Sequence, residues 1–286
     1  MFNALQRVVG TTKKNTLPRA TPLFLVFSIW RNRHLIVNLT KREVVGRYRG
    51  SAMGLLWSML NPVLMLAVYT FVFSVVFQSR WPGGSNSKVE FALILFSGLI
   101  VYTLFSECFT RSPDLITSNV NYVKRVVFPI EVLPVVVLGT ALFHTAISLF
   151  VWLCFYFAFI GIPSLSTLLV PVALIPLMLM TLGVSWIIAS LGVYLRDIAQ
   201  VVAIVNMILM FLSPIFYPIS ALPEKYRFLV LANPLAFTIE QIRNVLIWGQ
   251  SISWVSWALQ LITGLLVTSV GFYWFQKTRR GFSDVL

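Results

Sequence analysis

The sequence predicts an all-α membrane protein that crosses the bilayer several times. Three observations predict it. Of the 286 residues 58% are hydrophobic and only 11% charged, whereas an ordinary soluble domain is about a quarter charged; a soluble fold could not hide this much apolar surface. The apolar residues come in long runs, such as the uncharged stretch from Gly54 to Phe77, and about 20 such residues suffice to cross a bilayer. The basic residues gather at the ends of these runs, where they mark the cytoplasmic side. The net charge of +13 would point to nucleic acid in a soluble protein. Placed at the ends of membrane runs it points to anionic lipid headgroups instead, and no nucleic-acid partner is expected.

Residues 1–21 are polar and basic and read as a cytoplasmic tail, without the continuous apolar core of a cleavable signal peptide. Residues 22–40 are apolar but interrupted by Arg31, Arg33 and His34, which would be expensive at the bilayer centre. With Trp30 among them they suit a helix lying in the membrane interface; the alternative is a poor span. The unit 22–53 closes with a basic linker containing Lys41, Arg42, Arg47 and Arg49, offset by Glu43.

A six-helix domain is expected over 54–275. Its spans are 54–77, bent at Asn61-Pro62, then 91–110, 132–160, 165–192, 199–217 and 252–275, followed by a cytoplasmic tail at 276–286. Pro82, Gly83, Gly84 and Ser85 make a turn-rich connector after the first span. With both termini inside, 17 of the 22 Lys and Arg residues fall in cytoplasmic segments. The outer segments hold Arg80, Lys88, Lys225, Arg227 and Arg243. That asymmetry is what the positive-inside rule requires.

Two segments are not simple spans. Residues 111–130 open with Ser112-Pro113-Asp114, a helix-start signal, and read either as a helix that docks a soluble partner or as a surface loop. Residues 218–250 are too charged to cross and too apolar for a free loop. Asn233-Pro234 divides them into pieces 223–232 and 235–248, either an interfacial hairpin or two half-helices forming an outer gate. Glu107 and His144 lie within spans, where ionisable groups face a bundle interior or cavity. Glu107 can neutralise Arg111 one turn on, and His144 suits a neutral hydrogen-bonded role. Arg196-Asp197 reads as a structural ion pair. Cys108 and Cys154 read as buried thiols.

Several chemistries lack their signatures. There is no G-x-x-x-x-G-K-[ST] phosphate loop, no H-E-x-x-H and no T-V-G-Y-G filter. Two histidines and two cysteines in apolar runs point away from a metal site. The nine acidic residues include no tight loop pair suited to glycosyl transfer. A membrane enzyme acting on lipid-linked sugars is therefore the weaker alternative.

Five stretches carry a resemblance: KREVVGRYRGSAMGLLWSMLNPVLMLAVYTFVF at 41–73, NYVKRVVFPIEVLP at 121–134, GVYLRDIAQVV at 192–202, FLSPIFYPISALPEKYRFLVLANPLAF at 211–237 and FSDVL at 282–286. In this order the chain resembles the membrane permeases of ABC transporters that export polysaccharides: O-antigen, teichoic acid and capsule exporters. The first 20 or so residues have no counterpart in that pattern. The resemblance implies a homodimer joined to two ATP-binding subunits in the bacterial inner membrane, with no cofactor in this chain and with ATP and Mg²⁺ on the partner subunit. It implies an interface helix, a coupling helix within 111–130 and two short re-entrant outer gate helices. The implied cargo is an undecaprenyl-linked polysaccharide, with teichoic acid, capsule, drug or lipid as other cargoes of the superfamily.

On that footing, roles can be expected for particular residues. Lys41, Arg42, Arg47 and Arg49 either attract the substrate pyrophosphate or only anchor the chain at the cytoplasmic face. Trp57, Tyr69, Phe73, Tyr102, Phe105, Phe211, Phe216 and Tyr217 are candidates to line a sugar channel. Asp114, Asn121, Tyr122, Lys124 and Arg125 are candidates for coupling to the ATPase. Asn233 and Pro234 are candidates for the outer hinge.

Overall fold

The computed structural model describes residues 22–51, 53–54, 56–76, 81, 87–123 and 128–286. The expected tail 1–21 and the loop glycines 83–84 lie outside this set. Among the described residues the elements are helical throughout. Five helical segments are long and apolar enough to cross a membrane: Leu56–Phe73, Lys88–Arg111, Ile130–Phe159, Leu165–Tyr194 and Trp254–Gly281. The chain is a multi-pass membrane protein.

The first two helices are α1 (Pro22–Arg31) and α2 (Arg33–Arg47). They are separated at Asn32, whose side chain turns back to donate to the Ser28 carbonyl at 2.8 Å. α2 runs further than the interface helix expected from sequence and takes in Lys41, Arg42 and Arg47. Its Leu39 and Val44 are buried, and Leu39 packs with Val132 and Val136. Gly50 and Gly54 adopt positive φ, at 83° and 51°. Both sit in the corner that turns the basic segment into α3 (Leu56–Tyr69), where a side chain would be strained. A π-helical stretch, Thr70–Val76, continues α3.

α4 (Lys88–Arg111) is the centre of the bundle, with an unbroken buried run from Phe91 to Tyr102. Around it pack α6 (Leu133–Phe159), α7 (Val170–Tyr194), α8 (Ile198–Leu212) and α10 (Pro234–Leu246). Trp152 of α6 is fully buried and donates its indole N–H to the Leu93 carbonyl at 3.0 Å, which satisfies the polar tip of a large apolar ring. Trp186 of α7 does the same to the Glu131 carbonyl at 3.1 Å. α11 (Trp254–Thr278) lies along α7 on small residues. A Cβ on Gly271 would strike the Gly183 carbonyl, and one on Gly183 would strike the Val267 carbonyl. Helices in lipid associate through such close backbone contacts.

One expectation about the elements is met only in part and another is corrected. Of the run 199–217, expected to span, α8 supplies 15 helical residues, about 22 Å at 1.5 Å per residue against a bilayer core of about 30 Å. It ends because Ser213, the residue before Pro214, takes an extended conformation (ψ 144°), as the proline ring demands. Residues 111–130 do not form one helix. Ser112 to Ile116 are turns, Thr117–Asn119 is a 3₁₀ turn, and α5 (Val120–Val123) is a single helical turn. The 112–116 turn is pressed onto α7, where a Cβ on Gly192 would strike the Pro113 carbonyl. Cys108 is buried as expected, but Cys154 is exposed on the outer face of α6.

The segment 218–250 does hold two helices, α9 (Glu224–Leu231) and α10. They differ sharply in burial. α9 exposes Tyr226, Phe228 and Leu231, whereas α10 buries Leu235, Ile239, Ile242 and Val245. Asn233 caps α10 by accepting from the Leu235 N–H at 3.0 Å, with Pro234 in the first turn. Arg243, expected among the charges of an outer loop, is only 1% exposed. Glu240, the carbonyls of Ile94 and Ile215, and the face of Trp81 surround it.

α12 (Phe282–Val285) ends the chain, with Phe282 buried against Tyr194 and Phe275.

Candidate functional site

A cavity of about 360 Å³ opens between α3, α4 and α6, with Met210 of α8 on its edge. Its walls include Tyr69 and Pro62 of α3, Phe96, Leu99 and Tyr102 of α4, and Ser148 of α6. At one end stand four polar groups: Arg47, Tyr48, Glu107 and His144. They arrive from three directions. Arg47 is the last residue of α2 and Tyr48 caps it. Glu107 lies one turn before the end of α4, and His144 lies within α6.

The four groups are bonded to one another. Arg47 Nη2 donates to Glu107 Oε1 at 2.6 Å. His144 Nδ1 is 2.8 Å from Glu107 Oε2, and Tyr48 Oη is 3.2 Å from His144 Nε2. One tautomer satisfies both of the imidazole contacts: Nδ1–H donating to the carboxylate and Nε2 accepting from the phenol. Burial raises the Tyr48 phenol above its ordinary value against the opposing charge of Arg47, so it is the proton donor in this pair at neutral pH. Arg47 Nη1 lies 3.3 Å from the same Nδ1. The expected Glu107–Arg111 pair is present at 3.7 Å, but Arg111 is held more closely by Glu43 of α2.

The basic linker is thus divided by its contacts. Arg47 faces the cavity. Arg42 donates to the Tyr122 hydroxyl at 2.6 Å, and Tyr122 stacks on Phe128 with ring centroids 4.4 Å apart. Lys41 and Arg49 are exposed. Of the coupling candidates, Asp114 and Asn121 are exposed and Tyr122 is half-buried; Lys124 and Arg125 lie outside the described residues.

The aromatic candidates divide as well. Tyr69 and Tyr102 line the cavity. Phe216 gathers Tyr69, Phe73 and Phe211 around it, with centroids 5.6, 4.9 and 6.3 Å away, and the Tyr217 hydroxyl donates to the Phe211 carbonyl at 3.0 Å. Trp57 lies on the exposed face of α3. Phe105 does not line this cavity. It is 4% exposed and stacked on Phe109 inside the core, because its position on α4 turns it away from the cavity. Asn233 and Pro234 form a capped corner, buried at Asn233 and tied to Ser213 at 2.9 Å.

Sequence reasoning missed Tyr48 and Glu131. Tyr48 stands between two arginines in the basic linker, whose charge is its dominant sequence signal. Glu131 stands just ahead of an apolar run inside one of the five distinctive stretches. It is 4% exposed and accepts from Ser28 of α1 at 3.1 Å and from Arg279 at 2.7 Å.

A family model described as ABC-2 type transporter matches residues 34–247. The O-antigen export system permease protein RfbA of Klebsiella pneumoniae is 30% identical over 253 residues, covering 88% of this chain and 95% of that protein. The protein of the same name from Myxococcus xanthus is 32% identical over 213 residues, covering 74% and 79%. The polysialic acid transport protein KpsM of Escherichia coli is 26% identical over 213 residues, covering 73% and 79%. The family match takes in α2 through α10 and hence every residue of the cavity, and the chain belongs to the ABC-2 type transporter family of membrane permeases.

Proposed function

We propose that this chain is the permease half of an ATP-driven exporter that moves a polysaccharide, carried on an undecaprenyl-type lipid pyrophosphate, across the bacterial cytoplasmic membrane. The observation that carries the reading is the cavity itself, which has Tyr69, Phe96 and Tyr102 on its walls and Arg47, paired with Glu107, at one end. The names of the relatives, O-antigen export permease and polysialic acid transport protein, supply the substrate class. The capsule-type relative keeps a capsular polysaccharide as the second reading of the cargo.

The two halves of such a substrate have opposite needs. Each buried methylene of the lipid is worth about 0.8 kcal/mol, so the polyprenyl chain stays in the bilayer. The sugar chain needs a wet path. Its rings present apolar C–H faces that rest on Tyr69, Tyr102 and the Phe73–Phe216 pair, and such contacts are weak enough to let a long chain slide. Arg47 receives the pyrophosphate at the cytoplasmic end, since a guanidinium fork donates two parallel hydrogen bonds to phosphate. Two copies of the chain build the complete path, each with six spans: the five long helices and α8 extended by residues 213–217. Both termini lie in the cytoplasm.

The chain performs no chemistry of its own. A separate ATP-binding subunit, holding ATP and Mg²⁺, presses on the segment 112–123. Arg42, bonded to Tyr122, passes that movement into α2, and Gly192 seated on Pro113 passes it into α7. α9 and α10 form the outer gate.

The test is a co-purification followed by a deletion. Expressed with its ATPase, the chain should form a two-plus-two complex that hydrolyses ATP. Cells lacking the chain should accumulate a lipid-linked glycan in the cytoplasm. An ATPase that fails to associate, with no accumulated glycan, removes the reading.

A further inference from the structure

The arginine best placed to receive a phosphate is already engaged by a carboxylate. Arg47 gives Nη2 to Glu107 Oε1 at 2.6 Å and brings Nη1 to 3.3 Å from His144. Glu107 holds Arg47 through Nη2, so a diphosphate that grips the Nη1/Nη2 edge with two hydrogen bonds competes with Glu107 for that nitrogen. That exchange does not strand the carboxylate. His144 Nδ1 stays on Oε2 at 2.8 Å, and Arg111 Nη1 stands 3.7 Å from Oε1. The side chains also differ in exposure, 39% for Arg47 against 16% for Glu107. The arginine is the outward, movable member and the carboxylate the fixed one.

A bare arginine at a membrane face has a selectivity problem. Bilayer phosphodiesters surround it in large excess and share the chemistry of the substrate headgroup. Specificity is a difference of affinities, and an internal competitor creates one. A singly charged phosphodiester offers Arg47 little that Glu107 does not already give. A diphosphate carries more charge and more acceptor oxygens, so it gains from the exchange.

We propose that Glu107 is a specificity-determining residue: a built-in competitor for Arg47 that excludes phosphodiester lipids and yields to a lipid diphosphate. After transport it returns to Arg47 and speeds release of the headgroup. The proposal rests on the reading that the cargo is carried on a lipid pyrophosphate.

The test uses the full chain in detergent micelles, a fluorescent polyprenyl diphosphate as probe and phosphatidylglycerol as competitor. Wild type should bind the probe and resist competition. Arg47→Gln should lose the probe by about tenfold or more, the scale of one hydrogen bond to a charged group. Glu107→Gln should bind the probe at least as tightly and yield to phosphatidylglycerol at about tenfold lower concentration. Glu107→Asp keeps the charge with a shorter reach and should fall between, and it carries the test if Glu107→Gln does not fold. If Glu107→Gln and Glu107→Asp discriminate as wild type does while Arg47→Gln loses the probe, the role of Glu107 is overturned and the headgroup reading stands. Weaker probe binding in Glu107→Gln makes the carboxylate a mere scaffold for Arg47 and also overturns the proposal. No binding by wild type overturns both.

Discussion

Arg279, one residue past the end of α11, donates to the carboxylate of Glu131 at 2.7 Å across 148 residues of sequence. The same carboxylate accepts from Ser28 of α1, and the Glu131 carbonyl accepts from Trp186 of α7. Arg279 reaches on to the Phe128 carbonyl at 3.3 Å. One buried acid therefore joins α1, the start of α6, α7 and the C-terminal segment. Removing one partner of a buried pair leaves the other uncompensated, at a cost of about 3 kcal/mol or more. Glu131→Ala should lower the melting temperature of the purified protein sharply. Arg279→Lys, which keeps the charge but not the fork that reaches both acceptors, should cost less. Equal melting temperatures for Glu131→Ala and wild type would show that the pair does not hold the bundle.

The seam between α7 and α11 should tolerate no added carbon. At Gly271 a Cβ meets the backbone of Gly183, which has no flexible end to move aside. Gly271→Ala should destabilise by about 1–3 kcal/mol through overpacking. Gly46 in α2 is the control, with nothing within 4 Å of its added Cβ. Gly46→Ala should stabilise by about 0.5–1 kcal/mol, because alanine is the better helix former. Thermal unfolding of the two variants side by side should move in opposite directions.

How legible the fold was depends on the range of the forces involved. Membrane runs and basic ends are local properties of composition, so the five long helices could be read to within a few residues. The break at Asn233-Pro234 was equally local. The failures were tertiary. Phe105 and Tyr102 stand three residues apart on α4, and only the packing shows that Tyr102 reaches the cavity while Phe105 stacks on Phe109. Arg243 reads as a loop charge until Ile94, Ile215, Glu240 and Trp81 are seen to enclose it. Glu107 and His144 were each visible as ionisable groups in apolar runs. That they meet each other, and Arg47, depends on how α4 and α6 are rotated, which no single run records.

Asn233 has two bonds to lose. Its Oδ1 caps α10 through the Leu235 N–H, and its Nδ2 donates to Ser213 Oγ at 2.9 Å, closing the α8 end onto the start of α10. Loss of a cap costs about 1–2 kcal/mol. Asn233→Ala should destabilise by that amount and Asn233→Asp, which keeps the cap but not the donor, by less. In the proposed exporter this corner is the fixed base of the outer gate, so Asn233→Ala should also raise passive leakage of a small solute through reconstituted vesicles. A melting temperature lowered with no leakage would confine the residue to stability.

Tyr69 and Phe105 should separate a pathway residue from a core residue. Both are aromatic, both lie in membrane helices, and both were candidates from sequence. Tyr69 lines the cavity and packs on Phe216. Phe105 is buried against Phe109. Phe105→Ala deletes a buried ring, at a cost of about 3–5 kcal/mol, and should reduce the amount of folded protein while export per folded molecule stays normal. Tyr69→Ala borders open space and should leave the folded amount nearly unchanged. In the proposed pathway it removes a surface on which sugar rings slide, so export per molecule should fall and the exported chains should shorten. The measurement is surface polysaccharide, by amount and length, divided by folded permease in the same membranes. Normal export with Tyr69→Ala would move the sugar path away from this cavity, and defective export from well-folded Phe105→Ala would move it into the core beside α4.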